Sequence, residues 1–162
     1  MKVLWAPWRM VHIGGPKEPG CIFCEKPSAE DPRLALVLGA AEHGSVMLNK
    51  FPYANGHLMV SPRKHVADLG ELSADQYSGL SDLLRATICQ IREEFRPEGV
   101  NVGMNMGAAA GAGIADHLHW HVVPRWVGDT NFMPLIGEVR VMPEHLEAVY
   151  DRLRPRFAKL LG

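Results

Sequence analysis

The chain lacks an excess of either charge and has no long hydrophobic run. Its 162 residues carry 17 Lys and Arg against 18 Asp and Glu, a formal net charge of −1. Without a basic excess, nucleic acid is not an expected partner. No apolar stretch approaches the length that crosses a bilayer, so we expect no membrane partner. The first residues lack the apolar core of a signal peptide, and we expect a cytoplasmic protein.

Cysteine is also scarce, with three residues in the chain. An odd number of cysteines argues against a disulfide framework. Cys21 and Cys24 form a CxxC motif, which in a cytosolic protein indicates metal binding or redox chemistry. Cys89 falls within a predicted helix, where we expect a packed thiol rather than a ligand.

Length and pattern indicate one α+β domain. The chain is long enough for a single domain with its own core. The strand patterns cluster without a helix between each pair, which favours a mainly antiparallel sheet of about five strands. The predicted strands cover residues 34–38, 45–49, 57–61, 99–106 and 116–125, with a possible short strand at 139–142.

Two helices complete the predicted fold. Ser73 and Gln76 form a capping box, and apolar residues recur at helical spacing from Tyr77 to Phe95. Pro143 opens a C-terminal helix. We divide the chain into an N-terminal arm, a core, and a C-terminal loop with its helix, at residues 1–20, 21–126 and 127–162.

Three histidines, His117, His119 and His121, alternate with apolar residues in the predicted strand 116–125. Alternate side chains of a strand share one face, so the three imidazoles are expected on the same side. Each buried imidazole needs a polar partner, and imidazole acts as nucleophile, acid, base or metal ligand at neutral pH. The row therefore indicates a functional site, with His119 facing a ligand rather than the core.

Other interpretations of these histidines stay open from the residues alone. The first is that they are core histidines with satisfied hydrogen bonds. The second is that all three bind one catalytic zinc. The third is that they belong to a nucleotide-binding module without catalysis. A glycine-rich loop at 107–113 precedes the row. Glycines let backbone N–H groups approach an anion, although a flexible hairpin is the simpler explanation of the loop by itself.

The CxxC motif supplies one edge of a tetrahedral zinc site, which needs two more ligands. His65 and one histidine of the row are the candidates. His57 begins an apolar strand, where it either orients a catalytic imidazole or caps the strand.

The run from His117 to Val123 resembles the signature of the histidine-triad (HIT) family, three histidines alternating with apolar residues and followed by two more. Further matches, in the order the family has them, are Asn49, residues 56–65, Asn105 with Gly107, and Pro124 with Arg125. The resemblance covers roughly residues 21–126. Residues 4–10, 110–114 and 124–134 are similar to the bacterial diadenosine tetraphosphate phosphorylase branch.

The resemblance implies a HIT-like domain and an enzyme whose nucleophile is His119. That imidazole attacks the α-phosphorus of a nucleotide, and an acceptor then displaces the covalent nucleotidyl-histidine. A backbone carbonyl holds the other ring nitrogen as a donor, while His57 and His121 complete the network around the phosphates. No organic cofactor is implied. The positions that match substrate contacts are Asn49, Asn105, Gly111, Gly113 and His121.

Some members of the family carry zinc, and the resemblance places its ligands at Cys21, Cys24, His65 and His117. Such a site is closed and therefore structural. It would pin the N-terminal segment to the catalytic strand and hold His119 from behind. The alternative is a CxxC segment that packs without metal.

The acceptor depends on one departure from the family pattern. Hydrolases of the family commonly have Gln where this chain has Gly113. With the branch resemblance, this favours orthophosphate, so that diadenosine tetraphosphate plus phosphate would give ADP and ATP. The alternative is a HIT hydrolase that uses water on dinucleoside polyphosphates or nucleoside phosphoramidates. Family members generally dimerise through the long helix and the sheet edge, and we expect a homodimer.

Overall fold

The computed structural model describes residues 20–129 and 142–161. The predicted arm at 1–20 and the possible strand at 139–142 lie outside the described residues, except for their last positions. No helix in the two described stretches is both long and apolar enough to cross a membrane.

A five-stranded antiparallel sheet is the centre of the fold, which confirms the predicted α+β class. The strand order is β1-β2-β3-β5-β4, and each neighbouring pair is antiparallel. The strands are β1 (Val37–Ala40), β2 (Gly44–Leu48), β3 (Leu58–Pro62), β4 (Gly99–Met104) and β5 (Trp120–Arg125). The α-helices are α1 (Ile22–Glu25), α2 (Ala74–Phe95) and α3 (Leu146–Leu161), with short 3-10 turns at Lys26–Ser28, Leu69–Glu71 and Ala108–Ala110.

Strand β1 begins later than predicted because a turn occupies the positions before it. The carboxylate of Asp31 accepts hydrogen bonds from the N–H groups of Arg33 and Leu34. Leu36 then has a φ of 62°, in the left-handed region that interrupts a strand. The strand continues instead through Gly39 and Ala40, beyond its predicted end at residue 38.

Strand β5 is also shorter than the predicted strand 116–125. The N–H of Leu118 donates to the carbonyl of Val66 at 2.7 Å, outside the sheet. Regular pairing therefore begins at Trp120. His117 and His119 lie in the segment that leads into the strand, so the prediction of one strand carrying all three histidines was wrong.

Helix α2 starts as its sequence predicted. Ser73 Oγ accepts from the N–H of Gln76 at 3.2 Å, and Gln76 Oε1 accepts from the N–H of Ser73 at 3.0 Å. The predicted apolar stripe is only partly buried, because Tyr77 is 46% exposed. Cys89 is exposed as well, so the prediction of a packed thiol was wrong.

Helix α3 begins at Leu146, three residues after the predicted start at Pro143. The residues between them form a bend that is fixed by its own contacts. Glu144 accepts hydrogen bonds from Asn55 Nδ2 at 2.8 Å and from Arg152 at 2.7 Å. These contacts tie the start of the helix to the turn before β3.

The two faces of the sheet have different coverings. One face packs against α2 and α3 around Leu38, Val46, Leu48, Leu58, Val60 and Val122. The other carries a smaller cluster of Phe23, Ala35, Val37, Met47 and Met59, with Ile114 against it. His121 is directly opposite Met59 across the β3–β5 pair. Residues paired in this way project from the same face, so His121 lies on the face away from the two long helices.

The capping box of α2 leads to a stability prediction. We expect Ser73→Ala to lower the free energy of unfolding by about 1 kcal/mol, because the N–H of Gln76 loses its acceptor. Ser78→Ala is the matched control, since Ser78 is exposed within the same helix and alanine favours helix. Urea unfolding of both variants measures the difference. Equal stability of the two would contradict a role for the cap.

Candidate functional site

His119 is held with one ring nitrogen protonated and the other unprotonated. Its Nδ1 lies 2.9 Å from the carbonyl oxygen of His117, and a carbonyl can only accept, so Nδ1–H donates. The lone pair is therefore on Nε2. Burial lowers the pKa of His119, which keeps the ring neutral at pH 7. A neutral imidazole with its lone pair on a defined nitrogen is a nucleophile.

The ring of His119 is more buried than we expected from the sequence. It is 4% exposed and packs against Phe23, with ring centroids 4.7 Å apart, so most of the ring faces the core. Its Nε2 has no hydrogen-bond partner among the described residues. Among those same residues, Thr87 alone has a buried side-chain oxygen or nitrogen that lacks a partner. Since Nε2 of His119 lacks a partner but is not such a buried atom, the small exposed area of the ring includes Nε2.

A chain of hydrogen bonds sets the protons of the neighbouring imidazoles. The N–H of Tyr53 donates to Nδ1 of His57 at 3.0 Å, so the proton of His57 is on Nε2. That Nε2–H donates to Nδ1 of His121 at 3.0 Å. The proton of neutral His121 is consequently on its own Nε2. The rings of His119 and His121 meet edge to face, with centroids 4.9 Å apart, so the ring that carries this N–H packs directly against that of His119.

His117 is turned the opposite way to His119. It is fully buried, and its Nε2–H donates to the carbonyl of Pro62 at 3.0 Å. Its Nδ1 is thus left with a lone pair, 3.2 Å from Cys21 Sγ and 3.5 Å from Cys24 Sγ. Burial lowers the pKa of His117, which favours the neutral, ligating form.

The ligand atoms of Cys21, Cys24, His65 and His117 lie within 4.8 Å of one another. We call these residues the four-ligand cluster. His65 Nδ1 is 3.2 Å from both Cys24 Sγ and His117 Nδ1. Around a tetrahedral zinc with ordinary bond lengths, such atoms are separated by about 3.3–3.8 Å. The cluster fits a metal ion of this kind in spacing and in ligand type.

The two thiols of the four-ligand cluster also favour a cation between them. Burial, and then the neighbouring Cys21, raises the pKa of the Cys24 thiol, because a second negative charge is unfavourable there. A divalent ion removes that repulsion. The alternative of three triad histidines on one catalytic zinc does not agree with this arrangement. Nδ1 of His119 donates to a backbone carbonyl, and Nδ1 of His121 accepts from His57, so neither nitrogen is directed at a shared ion.

The predicted substrate-binding residues outside the histidine row make few contacts with the histidines. Asn49 follows β2, where its N–H donates to the carbonyl of His57 and its Oδ1 accepts from the N–H of Phe51. Gly111 has a φ of 85° and ends the 3-10 turn Ala108–Ala110. A Cβ added at Gly113 would meet no atom within 4 Å, so open space lies above it. Within the described stretches, no hydrogen bond joins Asn105, Gly111 or Gly113 to the histidines.

Two residues of the site were missed from the sequence. Phe23 lies between the cysteines of the CxxC motif and contacts the rings of His117 and His119. Its position between two predicted ligands was a usable signal. Tyr53 packs on His57 at 4.6 Å between centroids and supplies the N–H that sets its tautomer. Nothing in the sequence pattern marks a backbone donor of this kind.

The fold and the site define an α+β protein with a neutral imidazole, two hydrogen-bonded histidines beside it, and a cluster of two thiols and two imidazoles that could hold a metal ion. A model of the HIT domain matches residues 33–127, more than half of the chain, and the chain belongs to the HIT family. The predicted membership is confirmed.

An AP-4-A phosphorylase among the relatives supports the predicted branch of the family. The chain is 36% identical over 165 residues to an AP-4-A phosphorylase of Mycobacterium tuberculosis, covering 96% of this chain and 84% of that protein. It is 30% identical to an adenosine 5'-monophosphoramidase of Schizosaccharomyces pombe, over 65% of this chain and 71% of that one. The crystal structure of a zinc-bound histidine triad family protein from Mycobacterium smegmatis matches with a TM-score of 0.67 and 29% identity, over 86% of this chain and 94% of that one.

Proposed function

We propose that this protein is a nucleotidyltransferase that cleaves dinucleoside polyphosphates through a nucleotidyl-histidine intermediate. The reaction is diadenosine tetraphosphate plus orthophosphate giving ADP and ATP. The observation that carries the proposal is the single orientation of His119. Its Nδ1–H is bound to the His117 carbonyl, and Nε2 lies at the exposed edge of the ring. The likeness to the AP-4-A phosphorylase of Mycobacterium tuberculosis supports the substrate class.

In the first step, Nε2 of His119 forms a bond to the α-phosphorus. The bond from that phosphorus to the bridging oxygen breaks, ATP leaves, and AMP remains on the imidazole. The attached ring is cationic, and its Nδ1–H strengthens the hydrogen bond to the His117 carbonyl. The Nε2–H of His121 is placed to donate to a phosphate oxygen, where charge develops in the transition state.

In the second step, orthophosphate attacks the same phosphorus. The phosphorus–nitrogen bond breaks, ADP leaves, and His119 returns to its neutral form. The branch likeness and the open space above Gly113 support orthophosphate as the acceptor. The second candidate is a HIT hydrolase, in which water takes the place of phosphate and AMP is the product. The likeness to an adenosine 5'-monophosphoramidase supports it.

The substrate contacts are part of the proposal. Asn49 and Asn105 follow the two strands β2 and β4, and we assign them to the nucleoside and the α-phosphate respectively. We assign the backbone of Gly111 and Gly113 to the polyphosphate, since the loop that carries them is exposed and glycine-rich. His57 supports His121 from a fully buried position.

The four-ligand cluster is proposed as a structural zinc site. The Cys21, Cys24, His65 and His117 donors fill four positions, which leaves no vacancy for substrate. Bound zinc would supply a cross-link between the N-terminal segment and the histidine row. His117 would then be a ligand through Nδ1 and the acceptor for His119 through its carbonyl.

We further propose a single HIT-like domain across residues 1–162 that assembles as a homodimer. Strand β4 is at the edge of the sheet, and its Val102 is 41% exposed, which suits pairing of this edge with a second copy. A cytoplasmic location suits a centre that needs reduced thiols at Cys21 and Cys24.

Mass spectrometry of the protein mixed with diadenosine tetraphosphate tests the proposed function. Without orthophosphate we expect one AMP attached to the chain at His119, together with released ATP. With orthophosphate we expect the adduct to disappear and ADP to form. Release of AMP at the same rate with and without phosphate would instead assign the protein to the hydrolases. Nucleotide binding with no adduct under either condition would contradict both.

A further inference from the structure

Phe23 lies between the four-ligand cluster and the nucleophile. It is on α1, between Cys21 and Cys24, and is 2% exposed. Its ring centroid is 5.2 Å from that of His117 and 4.7 Å from that of His119. The ring planes of Phe23 and His119 differ by 32°, so the phenyl face covers the imidazole rather than meeting it edge-on.

We propose that Phe23 is a positioning residue for His119, and that it transmits the occupancy of the four-ligand cluster to the nucleophile. The inference rests on the proposed function, because it takes His119 as the attacking group. It assigns to Phe23 no contact with substrate.

The orientation of His119 requires more than its hydrogen bond. The bond from Nδ1 to the His117 carbonyl fixes one atom of the ring, and the ring can still tilt about that point. The faces of the neighbouring rings restrict the tilt, with Phe23 in a tilted stack and His121 edge-on at 76°. Since Nε2 is on the side of the ring opposite the carbonyl contact, a small tilt displaces the attacking lone pair. Errors of about 1 Å in such placement lower rates by roughly a hundredfold.

The position of Phe23 in turn depends on the four-ligand cluster. Helix α1 has four residues, far fewer than an isolated helix needs for stability. Its N-cap, Cys21, makes no side-chain capping bond. Cys21 precedes Phe23 by two residues and Cys24 follows it directly. A metal that binds both cysteines therefore fixes the phenyl ring from both sides.

Comparison of Phe23→Leu with Phe157→Leu separates positioning from general stability. Phe157 is a fully buried phenylalanine of α3 in the main core, on the other face of the sheet. For Phe23→Leu we expect adduct formation at saturating diadenosine tetraphosphate to slow about tenfold, with KM changed by less than about twofold. For Phe157→Leu we expect lower stability with the adduct rate unaltered.

NMR of the His119 imidazole supplies a readout that does not depend on turnover. In protein with labelled histidine, the ring protons of His119 should shift in Phe23→Leu because the phenyl ring current is lost. Chelation of metal from the wild type should move the same signals, and should move them less in Phe23→Leu. Phe23→Met, which keeps an apolar side chain of similar length, repeats the comparison if Phe23→Leu does not fold.

The proposal is overturned if adduct formation in Phe23→Leu equals that of the wild type, or if chelation moves the His119 signals as far in Phe23→Leu as in the wild type. Loss of metal from Phe23→Leu also overturns it, because the effect would then belong to the ligands. Failure of the proposed function is distinguishable: the wild type would form no adduct at all. The response of the imidazole signals to chelation would still show whether Phe23 links the four-ligand cluster to the ring.

Discussion

Replacing His119 with alanine is expected to lower turnover by a factor on the order of 10⁴ or more. The substitution removes the atom to which we assign the bond to phosphorus, and we expect neither neighbouring histidine to replace it. The Nε2–H of His117 donates to Pro62, and its Nδ1 faces Cys21. The Nδ1 of His121 accepts from His57. The lone pairs of His117 and His121 are therefore directed at other groups.

Steady-state turnover and adduct detection measure the effect of His119→Ala. His43→Ala is the control, since His43 lies beside α2, close to Asp75 and Gly79 rather than to the triad. We expect His43→Ala to keep turnover within about twofold. Because the His119 ring packs on Phe23, its removal should cost about 1–3 kcal/mol of stability without loss of the fold. The mechanism would be rejected if a folded His119→Ala protein kept more than roughly a hundredth of wild-type turnover.

Local pattern predicted the sheet and the long helix because their signals lie within a few residues. The capping box at Ser73 and Gln76 and the apolar repeat after it specify α2 almost by themselves. The same is true of β2 and β3, whose bounds differ from the prediction by one residue at each end. A local signal of this kind needs no knowledge of distant contacts.

Strand β5 was predicted less well because its start depends on a distant group. The N–H of Leu118 bonds to Val66, which lies 52 residues earlier in the chain. Alternation of apolar and polar residues cannot show that competition. The proton positions of the site depend on backbone groups in the same way, on the carbonyls of Pro62 and His117 and on the N–H of Tyr53. Residue types indicated the chemistry, and tertiary contacts determine which ring nitrogen of each histidine carries the proton.

Loss of the four-ligand cluster is expected to have the second-largest effect. Cys24→Ser replaces one sulfur with an oxygen at an exposed position, so any loss of stability reports on the metal rather than on a cavity. Structural metal binding contributes directly to folding. We expect the variant to lose about 3 kcal/mol or more, which for a domain of this size lowers Tm by on the order of 10 °C. His117→Ala should lose metal as well, with an added cavity cost because the ring is fully buried.

Cys89→Ser is the matched control for the metal centre, because Cys89 is also an exposed cysteine but lies on α2, outside the four-ligand cluster. Metal content and Tm should fall in Cys24→Ser and stay at wild-type values in Cys89→Ser. A chelator should lower the Tm of the wild type and of Cys89→Ser but leave that of Cys24→Ser where it is. Turnover should fall with metal content, since the ligand His117 also holds the Nδ1–H of His119. Equal metal content and equal Tm in the two cysteine variants would show that the thiols near His117 pack without an ion, and that the nucleophile is oriented by the protein alone.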